Sequence, residues 1–157
     1  MEPSKSSILI AIEHYCNYQE RSHKEVRNKL YELGCNTDEV NAYISVLIEN
    51  NRLNEERYAK AIVRGKFRQK NWGRAKIIRQ LKMQEVSDYN LKKALEEIDS
   101  AEYDNTLLKL ASKKWQELYG EKNIFIKKKK TYSYLMQKGY ESDRVIAIIN
   151  EIINPEK

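Results

Sequence analysis

The sequence predicts an all-α protein: three tandem three-helix repeats that form an elongated, curved array. Leu30, Leu81 and Leu135 occupy equivalent apolar positions, at offsets of 51 and 54 residues. The next apolar anchor follows ten residues later in each repeat, and this second set comprises Val40, Leu91 and Val145. Self-similarity at such a period is typical of stacked units that cannot bury their apolar faces alone. Apolar residues keep helical spacing throughout, and no segment alternates as a strand does.

The repeats are predicted at 1–50, 51–100 and 101–157. Gly and Pro are scarce, with 5 and 2 residues, and they lie where helices are expected to end. The third helix of each repeat leads directly into the next repeat, so no long linker is expected.

The first repeat opens with a helix predicted over 8–18. Ser22 and Glu25 have the spacing of a capping box, which predicts the start of the second helix. Gly34 stands where a left-handed C-terminal cap is expected, and Thr37 is predicted to cap the third helix.

The second repeat is predicted to begin with a long helix over 54–70, capped by Asn54. Its third helix is predicted to be capped by Ser87 or Asp88, and the sequence leaves both open. In the third repeat, Gly139 is expected to end the middle helix.

Positive charge is concentrated in the middle repeat. The chain carries a net charge of +6, and residues 57–84 hold ten basic residues and no acid. The rest of the chain therefore has a net charge of -4. Such segregation indicates a polyanion or an acidic protein surface as the partner.

The basic residues fall on one side of the predicted helices. On the 54–70 helix, the residues expected to face inward are Tyr58, Ala61, Ile62 and Gly65. An ordinary solvated helix face mixes charges of both signs, whereas no acid interrupts this run. We interpret it as a partner-binding stripe, whose candidate contact residues are Arg57, Lys60, Arg64, Arg68, Lys76 and Arg79.

A second basic element is the run of four lysines at 127–130, predicted at the start of a helix, where positive charge opposes the helix dipole. Lys127 and Lys128 are candidate contact residues. Tyr134 aligns with outward-facing positions of the other repeats, and an aromatic ring beside basic groups can stack on nucleic-acid bases.

The residues give little support for catalysis, a metal site or a membrane segment. His14 and His23 stand alone, and Cys16 and Cys35 lack metal-ligand spacing, so the cysteines are interpreted as small apolar fillers. The apolar stretch at 8–12 is too short to cross a membrane or to direct export. We therefore expect a cytoplasmic monomer that is no enzyme and uses no cofactor.

Residues 53–59 of the middle repeat read Leu-Asn-Glu-Glu-Arg-Tyr-Ala, and Gly73 and Ile77 follow them. This pattern resembles the signature of the RecX family of bacterial regulators of the RecA recombinase, which reads approximately Leu-Asp-Asp-x-Arg-Tyr-Ala and continues with Gly-x-x-x-Ile. The endings at 30–34 and 135–140 are similar to those of the family's first and third repeats. Glu85 stands where the family has Gly, which predicts that this helix runs on or turns differently.

The resemblance implies that the protein binds the RecA filament on single-stranded DNA, in the filament groove. It would thereby inhibit ATP hydrolysis, strand exchange and stimulated repressor cleavage, by blocking filament growth or by promoting disassembly. Direct binding to single-stranded DNA, and to double-stranded DNA, is expected to be weak.

Two alternatives remain open from the residues alone. The three-helix units are similar to helix-turn-helix modules, which favours an autonomous nucleic-acid-binding protein. An assembly scaffold would fit the repeats but leaves the acid-free run unexplained.

Overall fold

The computed structural model describes residues 4–155, and these form nine α-helices and no strand. The prediction of an all-α protein with three helices per repeat is therefore confirmed. The helices, in chain order, are α1 (Lys5–Tyr18), α2 (His23–Glu32), α3 (Thr37–Glu49), α4 (Glu55–Lys70), α5 (Arg74–Met83), α6 (Asp88–Leu95), α7 (Ser100–Glu117), α8 (Ile124–Lys138) and α9 (Ser142–Ile153). No helix in this part of the chain combines the length and the apolar character that crossing a membrane requires.

The chain divides into two compact units. Unit 1 contains the residues up to Ile62 together with Gln80–Ala94, and unit 2 contains Val63–Arg79 together with the residues from Leu95 onward. Helices α4 and α5 of the middle repeat each contribute to both units. The repeat boundaries at 50 and 100 stay a prediction.

Unit 1 has an apolar core built on α1, α2 and α3. Its buried residues are Ile8, Ile12, Cys16, Val26, Leu30, Cys35, Val40, Leu47 and Leu53. Both cysteines are buried and free, as expected for apolar fillers. Burial raises the pKa of each thiol, so both resist ionisation near neutral pH.

Unit 2 is centred on three aromatic rings. Phe67, Tyr103 and Tyr140 are buried, and the Tyr103 ring lies 5.7 Å from that of Phe67 and 5.1 Å from that of Tyr140, centroid to centroid. Such tilted aromatic contacts are favourable beyond the area they bury.

The buried face of α4 differs from the predicted one. Its buried residues are Tyr58, Ala59, Val63 and Phe67, so the prediction holds for Tyr58 alone. The other predicted residues are only half-buried, and they are Ala61, Ile62 and Gly65. Ala59, Val63 and Phe67 repeat the buried positions Ile8, Ile12 and Cys16 of α1 at an offset of 51, so repeat register was the better guide to this part of the face.

The helix starts follow the predicted chemistry with one exception. Ser22 forms a capping box with Glu25, and Asn54 accepts a hydrogen bond from the amide of Arg57 at 2.9 Å. Ser87, rather than Asp88, accepts from the amide of Asn90 at 3.3 Å.

The prediction that Thr37 caps α3 is wrong, because Asn36 takes this role. Asn36 has an extended backbone, and its side chain accepts from the amide of Glu39 at 2.9 Å. The Glu39 side chain in turn accepts from the Asn36 amide at 3.0 Å, which completes a second capping box.

Equivalent left-handed caps end α2, α5 and α8. Gly34 and Gly139 have φ values of 95° and 99°, as predicted, and Glu85 has a φ of 59°. At each cap the following amide donates to the carbonyl five residues before it, as from Val86 to Leu81. The prediction that the helix before Glu85 runs on or turns differently is therefore wrong: it turns as the other two do, at the cost of a left-handed conformation in a residue that has a Cβ.

Candidate partner-binding surface

In unit 1, Arg57 is held by groups of the same unit. Its Nε donates to Glu20 at 2.5 Å, and its two Nη atoms donate to the side chain and the carbonyl of Asn51 at 3.1 and 3.0 Å. These bonds fix Asn51, which has a left-handed φ of 57°. Arg57 therefore has a structural role that the sequence analysis did not anticipate.

Two further candidate residues are paired with carboxylates. In unit 1, Lys60 lies 3.1 Å from Glu56, one helical turn earlier. In unit 2, Arg64 lies 3.3 Å from Glu97. Both residues, like Arg57, therefore have an acid of this chain beside them: Glu56 lies on the same helix as Lys60, and Glu20 and Glu97 reach the two arginines from other segments. Their role in partner binding stays a prediction.

Arg68 and Arg79 are exposed on unit 2. The ion pairs found within residues 4–155 include neither of them. Exposed arginines of this kind can donate bidentate hydrogen bonds to carboxylates or phosphates of a partner.

Two lysines of unit 2 flank the ring of Trp72. Lys76 Nζ lies 4.3 Å from the ring centroid and Lys66 Nζ lies 4.7 Å from it. Both distances fall within the range of a cation–π interaction. Lys76 was predicted from the sequence as a contact residue, whereas Trp72 was not.

The position of Trp72 is fixed by its neighbours in unit 2. The Tyr140 hydroxyl donates to the carbonyl of Asn71 at 2.9 Å, and Lys138 Nζ donates to the carbonyl of Lys70 at 3.0 Å. The amide of Gly73 donates to the carbonyl of Lys138 at 2.7 Å. The α4–α5 connection is therefore anchored on both sides of the tryptophan.

The third repeat places two more aromatic rings beside lysines. Lys127 Nζ lies 4.2 Å from the Trp115 ring centroid, and Lys114 Nζ lies 5.1 Å from that of Tyr134. An open groove beside Tyr134 is also lined by Ile126, Lys129, Lys130, Ser133 and Gln137. Such a mixture of flat rings and ammonium groups suits an anionic partner that also offers planar or apolar groups.

Lys128 lies apart from these lysine–aromatic pairs. It lines a second open groove of unit 2 together with Tyr132, Ile146, Ile149, Asn150 and Lys129, and Lys129 also lines the groove beside Tyr134. The predicted residues of unit 2 thus occupy several local environments.

Two models of RecX domains match the chain. The second three-helix domain of RecX matches residues 54–95, and the third three-helix domain matches residues 101–149. Together these matches cover more than half of the 157 residues. The chain belongs to the RecX family. The resemblance read from residues 53–59 is thereby confirmed.

Similar RecX proteins occur in several bacteria. The regulatory protein RecX of Clostridium perfringens (strain 13 / Type A) is 34% identical over 137 residues, which is 87% of this chain and 64% of the relative. That of Lactococcus lactis subsp. cremoris (strain SK11) is 35% identical over 130 residues, or 81% of this chain and 48% of the relative. The chain thus spans between about half and two thirds of the length of these relatives.

A solved RecX structure has the same fold. The crystal structure of RecX from Lactobacillus salivarius is 27% identical, has a TM-score of 0.84, and is matched over 94% of this chain and 96% of that one. The candidate residues from Arg57 to Arg79 lie within the second-domain match, and those from Lys127 to Tyr134 lie within the third.

Proposed function

We propose that this chain regulates the RecA recombinase by binding the RecA filament on single-stranded DNA. Bound there, it restrains ATP hydrolysis, strand exchange and repressor cleavage, and so takes part in the regulation of DNA repair in the cytoplasm. The observation that carries the proposal is the match of both the basic middle repeat and the third repeat to RecX domains. The chain acts as a monomer and uses no cofactor.

The charge of the chain supports an anionic partner. Residues 57–84 hold ten basic residues and no acid, and Arg68 and Arg79 are exposed. An exposed basic surface speeds association with an anionic partner and favours it over a cationic one. We propose that the contacts of unit 2 are made by Arg68, Lys76, Arg79, Lys127, Lys128 and Tyr134.

We propose a smaller part in partner binding for Arg57, Lys60 and Arg64. Each holds a carboxylate of this chain at 2.5 to 3.3 Å. Contact with a partner would require them to exchange that carboxylate for one of the partner's groups. We therefore expect their contribution to binding to be smaller than that of Arg68 and Arg79.

An ATPase titration tests the proposal. RecA is assembled on single-stranded DNA with ATP, and the chain is added from far below to above the RecA concentration. We expect ATP hydrolysis to fall at ratios well below one chain per RecA. Unchanged hydrolysis up to an equal concentration would contradict the proposal.

A parallel titration with bare DNA separates the alternative of an autonomous nucleic-acid-binding protein. We expect weak binding that falls steeply with added salt, because phosphate contacts release counterions. Tight binding to bare DNA with no effect on RecA would favour the alternative instead.

A further inference from the structure

The third repeat contains an insertion between its first and second helices. Helix α7 has 18 residues where α4 has 16, and α8 has 15 where α5 has 10. Six residues connect α7 to α8, whereas three connect α4 to α5. From the start of its first helix to the end of its second, the third repeat is therefore ten residues longer than the second repeat.

The insertion exposes apolar side chains at the start of α8. Phe125 is 78% exposed, and its neighbours Ile124 and Ile126 are 45% and 41% exposed. These three consecutive residues form an apolar tip. Single exposed apolar residues are common, but a contiguous apolar group on an added segment is typical of an interaction site.

Hydrogen bonds hold the apolar tip in a defined conformation although it is not buried. The Asn123 side chain accepts from the amides of Phe125 and Ile126 at 3.0 and 3.3 Å. The Glu121 side chain accepts from the amide of Asn123 at 3.1 Å. A segment ordered before binding loses less conformational entropy when it binds, which favours a preformed anchor.

Positive charge surrounds the apolar tip in the sequence. Lys122 precedes it, and the lysines of 127–130 follow it within the next two turns of α8. Glu121 is the one acid from 118 to 140, and it lies 3.8 Å from Lys130. A complementary surface would therefore carry carboxylates around an apolar centre.

We propose that the apolar tip is a docking anchor that inserts into an apolar pocket edged with carboxylates on a protein partner. The inference rests on the proposed function, in which that partner surface belongs to the RecA filament. Phe125 enters the pocket, Ile124 and Ile126 pack at its mouth, and the adjacent lysines pair with the carboxylates. Anchors of this kind contribute a large share of the binding energy of protein interfaces.

The arrangement of the apolar tip favours a protein pocket over a membrane or bare DNA. Consecutive helical residues point about 100° apart, so the tip fans around the end of α8 instead of forming a stripe along it. Helices that lie in a membrane surface need an apolar stripe along their length. DNA bases could stack on the Phe125 ring, but DNA offers no apolar pocket for the side chains of Ile124 and Ile126.

The test compares Phe125→Ser with Tyr89→Ser in the full chain. Tyr89 is 69% exposed on α6, so both variants lose one exposed aromatic side chain. Binding of each labelled chain is measured by fluorescence anisotropy against RecA filaments on single-stranded DNA. The same DNA without RecA, and vesicles of phosphatidylserine and phosphatidylcholine, serve as the other two probes.

We expect Phe125→Ser to weaken filament binding at least about tenfold and to leave binding to bare DNA unchanged. Tyr89→Ser should bind as the original chain does, and both variants should keep its urea unfolding midpoint. Equal filament affinity of Phe125→Ser and the original chain would overturn the inference. So would a matching loss on bare DNA or on the vesicles.

The outcome for the original chain separates this inference from the proposed function. If the original chain binds and inhibits RecA filaments and Phe125→Ser does so equally, the docking anchor is wrong and the proposed function stands. If the original chain fails to bind RecA filaments, both are wrong.

Discussion

The backbone amide of Gly73 donates a hydrogen bond to the carbonyl oxygen of Lys138 at an N···O distance of 2.7 Å. Next to it, the amide of Ala75 donates to the carbonyl of Gly139 at 2.9 Å. These bonds join the start of α5 to the end of α8 within unit 2. In unit 1 the corresponding positions, Ser22 and Gln84, are joined through their side chains at 2.7 Å.

We predict that Gly73→Ala destabilises the protein. A Cβ at Gly73 would overlap the backbone carbonyl of Gly139, and backbone atoms cannot move aside as a flexible side chain does. The free energy of unfolding, measured in urea, should fall by about 1–3 kcal/mol. Gly65→Ala is the matched control, since a Cβ there meets open space inside helix α4 and should add up to about 1 kcal/mol. Equal stability of the two variants would contradict the close contact.

We predict that loss of the Tyr103 hydroxyl destabilises the protein. This buried group donates to Glu141 and accepts from the amide of Arg74 at 3.0 Å. Tyr103→Phe removes both bonds and leaves a part-buried amide without its partner, which should cost about 1–3 kcal/mol of unfolding free energy. Tyr89→Phe, at an exposed ring, should change the stability little. If the two variants had the same unfolding midpoint, the Tyr103 network would have no net stabilising effect.

Glu55 should make unit 1 sensitive to acid. Burial alone would raise the pKa of Glu55, but its hydrogen bonds from the Ser87 amide at 2.6 Å and the Asn90 side chain at 3.1 Å outweigh burial. The pKa therefore lies below its ordinary value of 4.5. The ionised form is thus favoured by folding, and its stabilising effect is present above pH 4.5 and lost as the pH falls through the folded-state pKa.

The variant Glu55→Gln tests this effect. It should be less stable than the original chain at pH 7, and the difference should shrink as the pH falls below 4.5, because the Glu55 carboxyl then gains a proton, first in the unfolded chain and at lower pH in the folded one. Urea unfolding at pH 7, 5 and 3.5 measures it. A difference that stays constant across this range would show that the charge of Glu55 has no part in it.

We predict that the exposed side chains of Arg68 and Arg79 are needed for strong inhibition of the RecA ATPase. The double change Arg68→Glu and Arg79→Glu should raise the concentration needed for half inhibition of the RecA ATPase at least about tenfold, because repulsion replaces attraction at an anionic partner. The control, Lys5→Glu with Lys92→Glu, alters the net charge equally at two exposed positions of unit 1. If the control lost as much inhibition, net charge rather than the position of Arg68 and Arg79 would be responsible.

The cap chemistry could be read from the sequence because it depends on local residues. Ser22, Gly34 and Gly139 act as predicted, since a capping side chain or a glycine satisfies the nearest backbone groups. Asn36 was missed in favour of its neighbour Thr37, although both can cap a helix. The choice between them depends on backbone angles that composition does not fix.

The ion-pair and aromatic partners of the candidate contact residues could not be predicted from nearby sequence. Glu20 and Glu97 lie 37 and 33 residues from the arginines they pair with, so counting acids along 57–84 could not detect them. The rings of Trp72 and Trp115 were likewise not recognised as partners of lysines, because their contacts depend on how helices and connections pack.

The two cysteines and the two tryptophans of the chain fall in different units. Cys16 and Cys35 lie in unit 1, whereas Trp72 and Trp115 lie in unit 2. Each unit therefore has a natural reporter of its unfolding. Thiol labelling follows the opening of unit 1, and indole fluorescence follows the opening of unit 2. Comparing their denaturation curves would reveal, without any substitution, whether the helices shared by both units make them melt as one.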